Sequence, residues 1–404
     1  MKILVVCQYF YPEVFQINDI CRELVRGGDE VTVLTGLPNY PSGTVPETYR
    51  HGKRRDEIWE GVRIIRCFET GRKRGTLWLG LNYISYCLSA AWKARALEKD
   101  FDVIFVYQLS PVLMAYPGTV MKKRSKKPLY LYCCDIWPES VKLVIPKESS
   151  LIFRIAKRIS TALYQRCDMI TVQSPAFFDY FETIHRISKE RLRYIPQYAD
   201  SQYLKQNFLL DNGVFDFVFL GNIGSAQGID TIIEASKFLQ QKFFFKIHIV
   251  GDGSFLEAAK ALAREKNLSD YIEFYGRQPV EKMPEYYALA DACLLTLTAD
   301  AGFIGQTIPS KLQGYMAAGK MVIGAIDGPA RDVIETSRCG LCTTAGDSAG
   351  LAEKMAAFMR DPEKYQDCGK NGRAYFVRHF SKEQYLKKTR TILRDLAEAN
   401  HVSE

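Results

Sequence analysis

Several things are scarce in this chain of 404 residues, and each scarcity removes a class of explanation. Histidine occurs five times, at widely separated positions, so no histidine cluster is available for a metal. The eleven cysteines are odd in number and scattered. Cys133-Cys134 are adjacent, and Cys339-Gly-Leu-Cys342 is the lone C-x-x-C. With no second pair to complete a zinc site, they read as reduced thiols of a cytoplasmic protein, mostly in its core. The apolar start Met1-Lys-Ile-Leu-Val-Val runs into Gln8 and Pro12, too short for a signal core. No sequence pattern of a nucleic-acid-binding module is present.

What remains is ordinary globular material, 47% hydrophobic and 25% charged, long enough for two domains with separate cores. The net charge of +8 is unevenly spread. Residues 1–200 hold 30 Lys+Arg against 21 Asp+Glu, and residues 201–404 hold 24 against 25. A basic half beside a neutral one suggests that one half faces an anionic surface.

Apolar β-type runs alternate with helical patterns. In the first half the strands are Ile3–Cys7, Glu30–Leu34, Val62–Cys67, Val103–Tyr107, Leu129–Cys134 and Met169–Gln173. Asn18–Arg26 and Ile152–Arg166 read as helices. The pattern restarts with strands Phe217–Leu220, Lys246–Val250, Ile272–Tyr275, Cys293–Thr296 and Met321–Ile323. Helices Gly228–Phe238, Phe255–Glu265 and Met283–Ala290 separate them. This predicts two Rossmann-like, doubly wound parallel sheets, residues 1–200 and 201–381, facing a central cleft. The last helix, 382–399, has no strand after it and is expected to pack back on the first domain.

Residues Gly75–Trp92 carry no charge and follow Arg72-Lys-Arg74. Leu77, Leu81, Ile84, Leu88 and Ala91 share one helical face. Gly80, Asn82, Ser85 and Ser89 argue against a spanning helix. A core helix is the plainer expectation, and a helix resting partly on lipid is the alternative.

Chemistry gathers at the ends of the strands. Gly221-Asn222-Ile-Gly224 follows one strand, Gly251-Asp252-Gly253 the next, and Gly276-Arg277 the third. Glycines there let backbone amides approach a phosphate closely. Thr307-Ile308-Pro309-Ser310-Lys311 reads as a helix start, with Pro309 in the first turn. Its free N–H groups and Lys311 suit an anion. Any one of these loops is equally well a plain turn or cap, but their convergence on one sheet edge is hard to dismiss. No Asp-x-Asp or His/Asp/Glu cluster stands beside them, so no divalent ion is expected at the phosphates. In the first half, Asp135-Ile-Trp137-Pro-Glu-Ser leaves a strand end, where a carboxylate can orient a hydroxyl or take its proton, or equally cap a helix. Gln8-Tyr-Phe-Tyr-Pro-Glu13 and Gly36-Leu-Pro-Asn39-Tyr40-Pro-Ser-Gly43 are rich in aromatic and amide groups suited to sugar rings, and read equally well as ordinary structured turns.

Taken together these segments resemble the GT4 family of retaining glycosyltransferases, with the GT-B fold, over essentially the whole chain. The likeness is greatest to a subgroup building capsule or O-antigen repeat units, including N-acetyl-L-fucosamine transferases. The resemblance implies a UDP-linked donor held by the second domain, an acceptor on the first, and retention by front-side attack without an essential metal or other cofactor. It implies donor contacts at Gly221, Asn222, Gly224, Gln227, Gly251, Asp252, Gly253, Arg277 and Thr307 to Lys311. Acceptor contacts are implied at Glu13, Asn18, Asn39, Tyr40 and Trp137, and catalytic roles for Asp135, Gln306 and Lys311. The acceptor would be a polyprenyl-diphosphate-linked saccharide, reached by peripheral association with the inner face of the plasma membrane. The sequence departs from the family where two glutamates usually stand: here they are Gln306 and Gly314. A basic residue of the first glycine loop is replaced by Gln227, and a first-domain histidine by Gln108. Two other readings are a GT-B epimerase of UDP-N-acetylhexosamine, disfavoured by the histidine-poor loops, and a degenerate donor-binding partner subunit.

Overall fold

The computed structural model describes residues 1–73, 75–140, 150–199, 201–205 and 212–403. Arg74 of the predicted basic cluster lies outside them. The chain divides into two compact units, one comprising Met1–Ile195 with the segment from Leu386 onward, the other Pro196–Tyr385.

Unit 1 is built on β1 (Lys2–Val6), β2 (Glu30–Thr35), β3 (Asp56–Trp59), β4 (Val62–Arg66), β5 (Val103–Gln108), β6 (Leu129–Cys133), β7 (Met169–Val172) and β8 (Leu192–Tyr194). They form one sheet in the order β3-β4-β2-β1-β5-β6-β7-β8. All pairs are parallel except β3 with β4. The central strands β1, β5 and β6 are nearly or fully buried along their length, which is why they read as continuous apolar runs. β3 and β8 carry polar, short edge sequences and gave no such signal.

Its helices are α1 (Gln16–Arg26), α2 (Thr76–Ala96), α3 (Tyr116–Ser125), α4 (Leu151–Tyr164) and α5 (Phe177–His185). α4 begins where Ser150 Oγ accepts the Phe153 amide at 3.2 Å, an ordinary N-cap. α2 corrects the expectation of a core helix. Its buried face is Asn82, Tyr86, Cys87, Ala90, Ala91 and Ala94, and it packs on α3. The larger residues Leu77 (73% exposed), Leu81, Ile84 and Leu88 (62%) face outward. The helix is apolar on two faces, and periodicity cannot say which one packs. The alanines decide, because small side chains allow the close approach to α3.

Unit 2 carries β9 (Phe215–Leu220), β10 (Phe245–Val250), β11 (Ile272–Gly276), β12 (Ala292–Thr296), β13 (Met321–Ala325) and β14 (Gly340–Thr343). The sheet runs β11-β10-β9-β12-β13-β14, every pair parallel. Its helices are α6 (Ile229–Leu239), α7 (Leu256–Glu265), α8 (Met283–Leu289), α9 (Ser310–Ala317), α10 (Gly328–Ser337), α11 (Ser348–Arg360) and α12 (Cys368–His379). Alternate residues of β9 enter two separate cores: Phe217 and Phe219 one, Val218 and Leu220 the other. Both faces are thus covered, as a doubly wound sheet requires.

α13 (Lys382–Ser403) begins in unit 2, and from Leu386 belongs to unit 1. Arg390 fixes it there: its guanidinium donates to Leu24 O at 2.9 Å, at the end of α1, and to Asp29 at 3.1 Å. The division falls at Ile195/Pro196 rather than after residue 200, and again at Tyr385/Leu386 within a continuous helix.

Candidate functional site

The parallel strands of unit 2 deliver their following loops to one carboxyl edge. There the first two glycine loops are laced together by their backbones. Gly221 N donates to Val250 O, Ile223 N to Asp252 O, and Gly251 N to Gly276 O, each at 2.9 Å. Gly221 has φ +133° and Gly251 φ +148°, and a Cβ on Gly251 would lie 1.8 Å from Gly221 O. No other residue fits there. The Asn222 side chain sits between Gly224 and Gly253, within 2.9 Å of where a Cβ on either would stand. Asp252 Oδ1 accepts the Gly253 amide at 2.8 Å.

A cavity of about 610 Å³ opens at this edge, lined by Gly221, Asn222, Gly251, Asp252, Gly253 and Arg277, with Val250, Gln278 and Met283 added. The last three carry no sequence signal, because hydrophobic and amide side chains are common everywhere. Gly224, Gln227 and Thr307–Lys311 do not line it. Lys311 nevertheless reaches its edge: its Cε would stand 3.2 Å from a Cβ on Gly221. Its ammonium donates to Gln227 Oε1 at 2.5 Å and lies 4.3 Å from the Phe219 ring centre. Burial pushes the Lys311 pKa down to about 8. Gln227 is held by Thr296 Oγ1, which donates to its carbonyl at 2.7 Å. A neutral amide thus takes the hydrogen bond of a half-buried cation and leaves its charge weakly compensated.

α9 starts at Ser310, with Pro309 extended before it (ψ 137°) as the cap residue rather than within the first turn. Thr307 closes a 3-10 turn, Gly302–Gln306, by donating to Ile304 O at 2.7 Å. Ile308 packs against the core. Gln306 ends that turn, exposed to solvent. Gly314 has a specific neighbour: a Cβ there would stand 2.7 Å from the Tyr287 hydroxyl. The tyrosine occupies the ground a side chain at 314 would need.

In unit 1 the corresponding edge holds a buried polar network. Glu13 accepts the amides of Asn39, at 2.7 Å, and Tyr40. Asn18 Nδ2 donates to Glu13 O at 2.6 Å. Asn39 Nδ2 donates to Glu69 Oε1 at 2.9 Å, and Asn39 Oδ1 accepts the Arg72 amide at 3.2 Å. Gln8 and Asn82 donate to the same Glu69 oxygen. Glu69 Oε2 and Gln8 Oε1 have no hydrogen-bond partner, and burial pushes the Glu69 pKa up to about 8. Glu69 escaped sequence reasoning, Gln8 was noted only within its aromatic and amide-rich loop, and Asn82 only as a break in an apolar helix. The signal available was Asn82, a polar residue interrupting an apolar helix.

Of the predicted acceptor residues, then, Glu13, Asn18 and Asn39 spend polar atoms on holding loops together. Tyr40 is partly exposed, packed on Phe15, with the Arg72 guanidinium 5.6 Å from its ring centre. Trp137 donates its indole N–H to Ser110 Oγ at 3.0 Å, and its carbonyl accepts from His185 Nε2 at 3.0 Å. Burial raises the Asp135 pKa, opposed by hydrogen bonds from Ser110. Gln108 Nε2 donates to Asp135 O at 2.7 Å, so it secures the turn that carries this carboxylate. Among the described residues no group of three or more His, Cys, Asp and Glu could hold a metal ion, and no helix is long and apolar enough to cross a membrane.

Comparison with known proteins accounts for both units. The Glycosyl transferase 4-like domain matches residues 15–197, and Glycosyl transferases group 1 matches residues 200–375. The N-acetyl-alpha-D-glucosaminyl L-malate synthase of Bacillus anthracis is 22% identical, covering 94% of this chain and 92% of its own. The colanic acid biosynthesis glycosyl transferase WcaI of Escherichia coli is 23% identical over 79% of this chain and 82% of its own. Among solved structures, Anabaena HepE, in complex with UDP and glucose, superposes with TM-score 0.68 at 17% identity, covering 98% of this chain and 99% of that one. Two matched domains over nearly the whole length, on two doubly wound parallel sheets, place the chain among the GT4-type glycosyltransferases of GT-B fold.

Proposed function

We propose that the chain transfers a sugar from a UDP-linked donor, an N-acetyl-amino sugar such as N-acetyl-L-fucosamine, to a polyprenyl-diphosphate-linked saccharide in capsule, O-antigen or exopolysaccharide assembly. The observation that carries this is the carboxyl edge of unit 2. Interlocked glycine loops and a half-buried, weakly compensated Lys311 meet there beside a cavity of nucleotide size. A diphosphate leaving group needs charge stabilisation, and loop amides, the α9 start and Lys311 supply it in a partly dry position. Two relatives, one named for colanic acid biosynthesis and one for an N-acetylglucosaminyl product, favour the polysaccharide role and the amino-sugar donor. HepE was solved with UDP, which favours that carrier.

In this reading the bond from the sugar's anomeric carbon to the diphosphate breaks, and the acceptor oxygen bonds to the same face of that carbon. The acceptor's proton passes to the departing phosphate oxygen. Gln306 binds a sugar hydroxyl, Asp135 orients the acceptor, and no metal is required. The chain works at the inner face of the plasma membrane, approaching it through unit 1 by Lys73, Arg72 and the outward leucines of α2.

The test is a panel of UDP-sugars incubated with the protein and membrane lipid extract, the product identified by mass. A product with inverted configuration, or activity abolished by EDTA and restored by magnesium or manganese, would overturn the corresponding part. UDP should raise the melting temperature, as any ligand selective for the folded state does. No shift at millimolar UDP, with a clear shift from another nucleoside diphosphate, would remove UDP as carrier.

A further inference from the structure

α4 presents a second outward apolar row. Leu151 (69% exposed), Ile152 (60%), Ile155 and Ile159 are all exposed, at spacings that keep them on one side of the helix. Arg154 and Arg158 are exposed beside them, one turn apart. α2 and α4 both pack on the turn Val112–Ala115, so the two rows belong to one flank of unit 1. α3 packs against α2 and the same turn.

The charge on this flank is one-signed. No Asp or Glu occurs anywhere in α2, α3 or α4. At the carboxyl ends of α2 and α3 a cavity of about 1030 Å³ is rimmed by Arg95, Lys123 and Arg166. All three are exposed, and no described side chain pairs with them. Asp168 is the single carboxylate lining that cavity, and Lys122 already holds it at 2.7 Å. Exposed leucine and isoleucine in rows, bordered by unpaired cations on helices that carry no carboxylate, match one environment. The apolar rows suit the acyl boundary of a bilayer, and the cations suit anionic headgroups.

We infer that α2 and α4 together form a two-row docking surface that seats unit 1 on an anionic bilayer, with α4 an anchor in its own right. This rests on the proposed membrane-side acceptor and adds a second helix to it. A protein partner of apolar and acidic character is the competing occupant. It is disfavoured because the exposed apolar residues are spread over two separate helices rather than gathered on one.

The test is co-sedimentation of the full chain with vesicles of phosphatidylglycerol and phosphatidylethanolamine. Ile152→Glu with Ile155→Glu should lower the bound fraction about tenfold or more, and Leu81→Glu with Leu88→Glu should do the same. All four positions are at the surface, so far-UV circular dichroism and the UDP-induced melting shift should match the parent. Phe244→Glu, a still more exposed apolar site in unit 2, is the control and should bind as the parent does. Arg154→Glu with Arg158→Glu should weaken binding to anionic vesicles and leave the weaker binding to phosphatidylcholine unchanged. If the α4 pair sediments like the parent while the α2 pair is released, the two-row surface is refuted and the membrane reading stands. If the parent itself ignores anionic vesicles, both fall. If the α4 pair changes self-association without lipid and leaves vesicle binding intact, the row is a protein contact, and the inference is overturned.

Discussion

Lys311 holds its charge where water is scarce, with only a neutral amide and an aromatic face to receive it. That fixes a pH signature. Its pKa is pushed down to about 8 in the unliganded protein. A bound diphosphate favours the charged form and raises it, so binding takes up a proton above pH 8. UDP affinity should be level below pH 8 and fall as pH rises, by up to about tenfold per unit, until the liganded pKa is reached. Calorimetry at pH 8.5 in buffers of different ionisation enthalpy should register the uptake, and zero uptake would show that Lys311 does not meet the diphosphate. Lys311→Ala should cut turnover roughly 100-fold or more, and Lys311→Arg should recover part of it. Near-parent turnover in the alanine variant would leave Lys311 a structural residue. At the other edge, the buried Glu69 carboxyl is pushed up to about 8. A raised pKa means its stabilising contribution is complete below the unfolded value, near 4.5, and is lost as pH rises through 8. Glu69→Gln has no proton to lose. The stability of the variant relative to the parent should therefore increase with pH across that window, by up to about 1.4 kcal/mol per unit. Parallel melting-versus-pH curves for the two proteins would contradict this.

At the scale of elements, α9 is shaped by a neighbour. Glycine inside a helix costs about 1 kcal/mol relative to alanine, so Gly314 needs a reason. The Tyr287 hydroxyl, 2.7 Å from where a Cβ would stand, supplies it. Gly314→Ala should destabilise the protein by about 1–3 kcal/mol despite better helix propensity. In a Tyr287→Phe background the same change should cost less or become favourable. A double-mutant cycle in urea with no coupling between the two positions would remove the steric explanation. The same contact makes Gly314→Glu a poor route back to the family's usual residue unless Tyr287 changes too.

At the scale of the molecule, the excess positive charge lies in the first half of the chain, and the phosphate-suited loops lie in the second. Membrane binding and donor binding should therefore separate cleanly. Raising ionic strength should weaken vesicle binding, because exposed charges are screened beyond about 8–10 Å. Replacing Arg72, Lys73 and Arg74 with Glu should do the same while leaving UDP affinity unchanged. Arg72 also lies against Tyr40 and Tyr83, and the Lys73 ammonium sits 4.1 Å from the Trp78 ring centre, so each single charge reversal removes an aromatic contact as well as a charge. Vesicle binding by the triple variant equal to the parent's at low salt would confine that patch to a solvated face.

Much of this protein was legible before folding. Buried parallel strands write themselves as nearly unbroken apolar runs, and β1, β5, β6, β9, β12 and β13 were read that way, while β10 was read despite Lys246 and His248. Glycines at strand ends marked the phosphate-suited loops, because only glycine tolerates φ near +133° and +148° with a carbonyl in van der Waals contact. The edge strands β3, β8 and β14 were not legible, since they are short and carry few apolar residues, whereas the edge strand β11 keeps enough of them to be read. Tertiary structure alone decided the rest. It chose which face of α2 packs, because two apolar faces look alike in a sequence and only the fit of alanines on α3 tells them apart. It turned Glu13, Asn18 and Asn39 inward, because whether a polar side chain meets a ligand or a neighbouring backbone depends on contacts between residues far apart in the chain. For the same reason it joined Gln8, Glu69 and Asn82, separated by up to 74 positions, into one buried network.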